Sequence, residues 1–367
     1  MDGQRDDGAP RYTRRRLAQV MGALPAALGA CIGTAGVDGG ATSEHLPAHH
    51  RPGGGFQNPP GSPVAGGGFA DWSAFFARRL LRSEPDVQLP AGHLLDEATT
   101  LAGIEGAGAQ DSITWLGHAC FLIRLGGLAI LTDPYLTPHA SPLPPFGPKR
   151  FTPPALPPER LPPIDLVLLS HNHYDHLDLA ALAAISRTRR PTLVTALLVS
   201  RYLDRTGFAR IVELDWHQSV AVGGLEITAL PAVHFSKRTL FDRNETLWCG
   251  FRLATAEHAV VFAGDTTFGP VFAETGRRYE APDLALLPIG AYEPRLLMQG
   301  SHCTPEEAVA IGQALGARRI CGMHWGTIRL TDEPPFEPPA RFRAAATAAG
   351  YGPDRAWLPA VGETRLL

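Results

Sequence analysis

From residue 112 onward the chain breaks into short apolar runs separated by polar or glycine-bearing turns. Residues 113–116, 119–125 and 128–131 read as strands, and Gly126-Gly127 between the last two carries the turn chemistry of a hairpin. Leu166–Leu169 is apolar without alternation, the pattern of a strand buried on both faces. Residues 192–195 and 211–214 continue the series, and 220–222 and 225–230 flank a second glycine pair, Gly223-Gly224. Further strands are predicted at 247–254, 259–263, 284–289 and 319–323. Helices are predicted at 178–186, at 339–349 and from Thr304-Pro305-Glu306-Glu307, which supplies an N-cap, a first-turn proline and early acids. Hairpins first, then strands alternating with helices, predict an α/β (α+β) fold of mixed sheets packed between helices.

The N-terminal third reads differently. Arg14, Arg15 and Arg16 precede an apolar, small-residue run over 17–30, the pattern of an export signal, and Thr13-Arg14-Arg15 is similar to a twin-arginine signal. Leu28-Gly29-Ala30-Cys31 resembles a bacterial lipobox, which would lipidate Cys31. The organisation expected is a signal or lipoprotein-like segment at 1–36, a Gly/Pro-rich linker or arm at 37–68 and one catalytic domain at 69–367. Export to the periplasm or cell surface is the expected location, and a basic tail on a cytoplasmic protein is the alternative. His45, His49 and His50 sit in the low-complexity arm, where a solvated tail is expected. At 71–82, Trp72, Phe75, Phe76, Leu80 and Leu81 are interleaved with Arg78, Arg79 and Arg82. That spacing predicts an amphipathic helix facing the core, with a membrane-surface helix as the alternative.

The chain has 367 residues, 44% of them hydrophobic, enough for a large core. A net charge of −3 gives no reason to expect nucleic acid as a partner. Apart from Cys31, the cysteines Cys120, Cys249, Cys303 and Cys321 are widely spaced, so buried thiols are expected rather than a disulfide framework.

The chemistry is concentrated in Ser170-His171-Asn172-His173-Tyr174-Asp175-His176, directly after an apolar strand. Three imidazoles and a carboxylate in so short a span suit zinc or a similar divalent ion. His234, Asp265 and His324 each follow a predicted strand. One histidine near a strand end is ordinarily structural, but this recurrence beside the dense cluster is hard to explain by packing. No GxSxG elbow is present, in keeping with a nucleophile drawn from solvent.

Together, HNHYDHLD, the later His234, AGDT and MHWGT resemble the metallo-β-lactamase superfamily. WLGHACFLI, LTDPYLTPHASP, FGPKRF, HFSKRTLFDRNETLWCGF, PIGAYEPR and HCTPEEAV narrow the resemblance to the N-acylphosphatidylethanolamine-hydrolysing phospholipase D branch and its bacterial relatives, from about residue 55 to the C-terminus. The resemblance implies an αββα sandwich with two zinc ions at one edge; manganese or iron would suit similar ligands. It assigns His171, His173 and His234 to one ion, Asp175, His176 and His324 to the other, and Asp265 to both. Asp133 would brace the histidine loop without binding metal. Two such ions, about 3.5–4 Å apart, can hold a bridging hydroxide for phosphoryl displacement.

The implied activity is phospholipase D-type hydrolysis of an N-acylphosphatidylethanolamine-like lipid, with a membrane surface as partner and a homodimer as a permitted assembly. His302 would touch the phosphoryl oxygens or protonate the leaving alkoxide, unless it merely anchors its loop, and the helix start beside it would favour phosphate. His118 is expected to be structural or to support the ligands. Tyr292, Glu293 and Arg295 would line the pocket or form a turn, and Lys237 and Arg238 would meet phosphate or solvent. The alternatives are a lactonase on the same centre and a non-catalytic lipid- or partner-binding protein on a retired scaffold. A retired site would not be expected to keep all seven ligands, because buried unpaired acids and imidazoles are costly.

Overall fold

The computed structural model describes residues 46–81, 87–203 and 207–367. The expected export segment with Cys31, the first part of the arm with His45, and Arg82 lie outside the described residues.

Among the described residues, fourteen strands form two seven-stranded sheets. The first takes β1 (Ser112–Gly117), β2 (Cys120–Leu125), β3 (Leu128–Thr132), β4 (Leu166–Leu169), β5 (Thr192–Ala196) and β6 (Arg210–Leu214). The second takes β7 (Ser219–Val222), β8 (Leu225–Leu230), β9 (Gly250–Ala254), β10 (Ala259–Phe262), β11 (Leu284–Pro288), β12 (Arg319–Met323) and β13 (Ala356–Trp357). The last strand, β14 (Thr364–Leu366), returns to pair with β1.

Both sheets follow one logic. Short turns, including the two glycine pairs, make β1–β2–β3, β7–β8 and β9–β10 antiparallel, and β8 pairs antiparallel with β9 across the longer 231–249 connection that carries His234. Longer crossovers then make β3–β4–β5–β6 and β10–β11–β12–β13 parallel. The helices are α1 (Phe69–Leu81), α2 (Glu97–Gly106), α3 (Leu179–Arg189), α4 (Pro270–Arg278), α5 (Arg295–Met298), α6 (Pro305–Ala314) and α7 (Pro338–Ala348). Of these, α3 to α7 lie within the parallel crossovers. Strand direction therefore places the C-terminal ends of β3 and β4 together, and likewise those of β8, β10 and β12.

One continuous apolar core draws on both sheets, with Trp115, Phe121, Phe251 and Phe262 fully buried. Each side chain of this size contributes about 1.5–3 kcal/mol by leaving water. Cys120, Cys249, Cys303 and Cys321 are buried free thiols.

Three expectations change. First, α1 does not face the sandwich interior. Its Phe75 packs with Leu297 and Met298 in a separate cluster, while Phe69 and Phe76 are exposed. Second, His49 and His50 are not a solvated tail: their Nε2 atoms bond the two carboxylate oxygens of Asp215 at 2.6 and 2.7 Å, and His49 stacks on Trp216. Third, residues 247–249 do not extend β9. Leu247 N–H donates to Leu197 and Cys249 N–H to Ser170, so the segment bonds to connections of the first sheet instead. The helices α2, α4 and α5 and the short β13 and β14 escaped the sequence reading.

Candidate metal centre

The site is built at the C-terminal ends of five strands. Asp133 follows β3, residues 170–176 follow β4, His234 follows β8, Asp265 follows β10 and His324 follows β12. Non-glycine residues hold left-handed backbone at three points around it: His118 (φ 57°), Asp133 (φ 30°) and His324 (φ 63°). Such conformations cost about 1–3 kcal/mol each and persist only where surrounding structure holds them. Gly264 has φ +62°, and a Cβ there would lie 2.9 Å from the Ser170 Cβ and from the Cys249 carbonyl oxygen. The AGDT turn thus needs its glycine to bring Asp265 up against the histidine loop.

Hydrogen bonds around the cluster set which nitrogen of each histidine faces inward. Asp133 accepts from Ser170 N–H (2.7 Å), the Ser170 hydroxyl (2.5 Å) and His176 Nδ1–H (2.7 Å). The serine's one proton goes to the carboxylate, so its oxygen accepts from His171 Nδ1–H at 2.8 Å. His234 Nδ1–H donates to the Ser301 carbonyl at 2.8 Å. His171 and His234 therefore each turn a bare Nε2 lone pair toward the centre, and His176 turns its Nε2 the same way.

The inward atoms form two adjoining sets. His173 Nδ1 lies 2.8 Å from His171 Nε2 and 3.2 Å from His234 Nε2. In the second set Asp265 Oδ1 is 3.2 Å from His324 Nε2, and Asp265 Oδ2 is 3.2 Å from His176 Nε2. Asp175 Oδ2 stands 3.5 Å from His176 Nε2 and 3.6 Å from His324 Nε2. Asp265 Oδ2 also reaches to 3.8 Å from His234 Nε2, so this carboxylate faces both sets. Ligands about 2.0–2.1 Å from a tetrahedral zinc stand about 3.3 Å apart, close to most of these separations. His176 Nε2, His324 Nε2 and Asp265 Oδ1 are buried without a hydrogen-bond partner. Buried imidazole nitrogens and carboxylate oxygens that converge without hydrogen-bond partners fit a pair of cations.

The electrostatics of the protein alone agree. Burial pushes His173 down to about 4 and holds His171 and His234 well below the usual imidazole range. Burial also opposes charge on His176 and His324, but Asp265 and Asp175 outweigh it, raising His324 to about 9 and His176 well above its ordinary value. Burial works against ionised Asp175 and Asp265 too, and the neighbouring imidazoles, His176 foremost, overcome it and hold both far below the carboxylate range. The first set thus offers neutral nitrogens, and the second carries protons that a cation would displace.

Other residues singled out in the sequence find definite places. His302 borders the centre, its Nδ1 buried, unpartnered and 3.9 Å from Asp265 Oδ2; burial pushes its pKa down to about 4. His118 Nε2–H donates to Asp175 Oδ2 at 3.0 Å, and its carbonyl accepts from His324 N–H at 3.1 Å. Arg238 does not reach toward the site: it bonds the carbonyls of Asn172 and Leu177 and lies over the Tyr174 ring, bracing the histidine loop, while Lys237 is exposed. Tyr292 is buried with its hydroxyl on Glu337, and Glu293 accepts from Arg295 N–H, so these two form a turn. Arg295 clamps Glu307 and the His302 carbonyl. The start of α6 is closed by the chain itself, through a capping box between Thr304 and Glu307, rather than left open for phosphate.

The sequence reading missed Ser170, Ser301 and Asn58 as supports. Asn58 accepts from His234 N–H at 3.1 Å and donates to its carbonyl at 2.8 Å. Ser170 could have been suspected from its place before His171; nothing local marks the other two.

Residues 129–325 match a family model described as a beta-lactamase superfamily domain. The chain belongs to the metallo-β-lactamase superfamily. It falls in the branch similar to N-acylphosphatidylethanolamine-hydrolysing phospholipase D, as the resemblance implied. An enzyme of that printed name from Caenorhabditis elegans is 38% identical over 61% of this chain and 67% of its own. An uncharacterised protein from Mycobacterium tuberculosis is 38% identical over 66% of this chain. The match spans only 65% of that mycobacterial relative. The αββα architecture is shared with an isothiocyanate hydrolase from Delia radicum gut bacteria, with 23% identity, a TM-score of 0.56, and coverage of 70% of this chain and 99% of that one. The chain's His/Asp clusters are able to bind metal.

Proposed function

We propose that the protein is a dinuclear zinc phosphodiesterase that hydrolyses N-acylphosphatidylethanolamine-like phospholipids, releasing phosphatidic acid and an N-acylethanolamine. The observation that carries this reading is the pair of adjoining donor sets joined by Asp265, with His302 at their border. His171, His173 and His234 would hold one ion and Asp175, His176 and His324 the other, with Asp265 placed to face both. Manganese or iron would fit the same nitrogen and oxygen donors. Bound there, such ions would supply an activated water and charge stabilisation for a phosphoryl displacement.

The chain's own contribution is positioning. Asp133 and Ser170 fix the tautomers of His176 and His171, so the ligands need no rearrangement to present their lone pairs. Because His302 is held neutral, it is suited to hydrogen-bond a phosphoryl oxygen more than to protonate a leaving alkoxide. The similarity to an enzyme named for this lipid supports the substrate class.

The test is a broad phospholipid panel presented to purified, zinc-loaded protein, with product lipids read by mass spectrometry. Failure to release phosphatidic acid or a comparable phosphomonoester from any member would overturn the reading. Export with a lipid anchor at Cys31 is part of the proposal, and an intact Met1 on the native protein would overturn that part.

A further inference from the structure

Away from the candidate centre, the arm and the link between the two sheets bring another set of donor atoms together. His49 and His50 are adjacent in the arm, and Asp215 follows β6 in the short connection to β7. Each imidazole meets a different oxygen of the one carboxylate: His49 Nε2 is 2.6 Å from Oδ1 and His50 Nε2 is 2.7 Å from Oδ2. All three side chains are largely buried, and none belongs to the ligands gathered around Asp265.

The surroundings hold these donors in place. Adjacent residues of an extended strand point to opposite faces, but the turn at 48–49 brings both imidazoles to one carboxylate. His49 stacks on Trp216 at 4.2 Å, His50 packs edge-on against Phe56 at 5.0 Å, and the two imidazoles meet edge to face at 4.6 Å. Trp216 N–H donates to Asp215 Oδ1 at 2.8 Å and fixes the carboxylate from behind. The arm folds back on itself around the set: Arg51 N–H donates to the Gly55 carbonyl and Gln57 N–H to the His49 carbonyl.

Two imidazole nitrogens and a carboxylate oxygen suit a borderline divalent ion. The first donor set of the candidate centre is spaced as closely, with 2.8 Å between His171 Nε2 and His173 Nδ1. Ligand atoms on a tetrahedral zinc stand about 3.3 Å apart, so an ion enters by parting the rings from the carboxylate by roughly 0.6 Å. A neutral imidazole presents Nε2 by carrying its proton on Nδ1 instead. Beside the set opens a cavity of about 390 Å³, walled by His49, Pro59, Trp216 and Val271. It gives an ion an entry path and leaves room for the water that completes a site with three protein ligands.

We propose that His49, His50 and Asp215 form a further zinc site, apart from the catalytic centre, that staples the arm to the link between the sheets. The hairpin held in this way leads to Asn58, whose side chain bonds both backbone groups of His234. Zinc in the staple therefore supports a ligand of the main centre through the arm. The site does not depend on which substrate the main centre takes, and its test does not use turnover.

The experiment counts zinc by elemental analysis on the full chain, loaded with zinc and dialysed. His49→Gln with His50→Gln keeps an N–H donor for each carboxylate oxygen but offers a much poorer zinc ligand. This variant is expected to hold one zinc per chain fewer than the parent, and Asp215→Asn is expected to do the same. Equal zinc content in parent and variants overturns the proposal and leaves a hydrogen-bonded clasp. Anomalous scattering at the zinc edge from crystals of the zinc-loaded parent needs no variant. It is expected to show a peak about 2.0–2.1 Å from both Nε2 atoms. No peak between His49, His50 and Asp215 overturns the proposal even where the variants fail to fold. A peak there in a protein that hydrolyses no phospholipid would uphold this site and reject the catalytic reading.

Discussion

Asp133 accepts the Nδ1–H of His176 at 2.7 Å, and both side chains are completely buried. The carboxylate is held in turn by Ser170, whose hydroxyl also receives His171. One acid that carries no inward-facing atom thereby orients histidines in both donor sets. In Asp133→Asn an amide must oppose the proton of either His176 or Ser170. Zinc affinity should fall by about 10–100-fold, the usual effect of removing a ligand's outer partner. Competition with a chromogenic chelator measures it; an unchanged affinity would remove Asp133 from this role.

His118→Ala leaves Asp175 without its donor and His324 without a ring packed 3.9 Å away. Because both belong to the second donor set, the loss should fall on one ion: two bound zincs per chain become one under a chelator concentration that leaves the parent full. Elemental analysis after graded dialysis reads the stoichiometry. Uniform weakening of both ions would argue for a general packing role.

The metal-free protein should be most stable near pH 6.5. His173 and His302 have folded values of about 4, below the ordinary 6.5, so their contribution is present above pH 6.5 and is lost as pH falls toward 4. His324 is raised to about 9, so its contribution is complete below 6.5 and disappears as pH rises through 9. Thermal melts of stripped protein across pH 4–10 should fall on both sides, and added zinc should flatten the alkaline limb. An alkaline limb identical with and without zinc would contradict this.

Zinc binding at pH 7 should release protons, because His324 is protonated there without metal and must give up its proton to serve as a ligand. Calorimetric titration in buffers of different ionisation enthalpy counts the protons. A buffer-independent heat would count against ligation by His324.

Asn58→Ala removes two bonds to the His234 backbone, each worth about 0.5–1.5 kcal/mol. The variant should lose about 1–3 kcal/mol in denaturant unfolding and bind zinc more weakly, although residue 58 lies far from the histidine motif in sequence. Full stability and affinity would show that the arm is dispensable.

Much of the site was legible because its chemistry is local: the histidine loop packs its donors into residues 171–176, and His234, Asp265 and His324 follow strands whose apolar runs are unmistakable. The supports were less legible. Asn58 lies in a Gly/Pro-rich stretch, the Ser301 contact uses a carbonyl that every residue has, and the basic Arg238 suited phosphate as well as it suits the carbonyls it bonds. The partner of α1 was hidden for a related reason: periodicity shows which residues share a face, not what that face meets.

The sequence by itself determined β1 to β12, the kinds of donor at their ends and the superfamily. Tertiary structure decided which donors share a site, which nitrogen each histidine presents and which basic side chains stay in solvent. The physical reason is strand direction: β8, β10 and β12 run the same way, as do β3 and β4, so residues remote in sequence are delivered to one edge. Separations of a few ångströms between such residues depend on long-range pairing, and no local pattern encodes them.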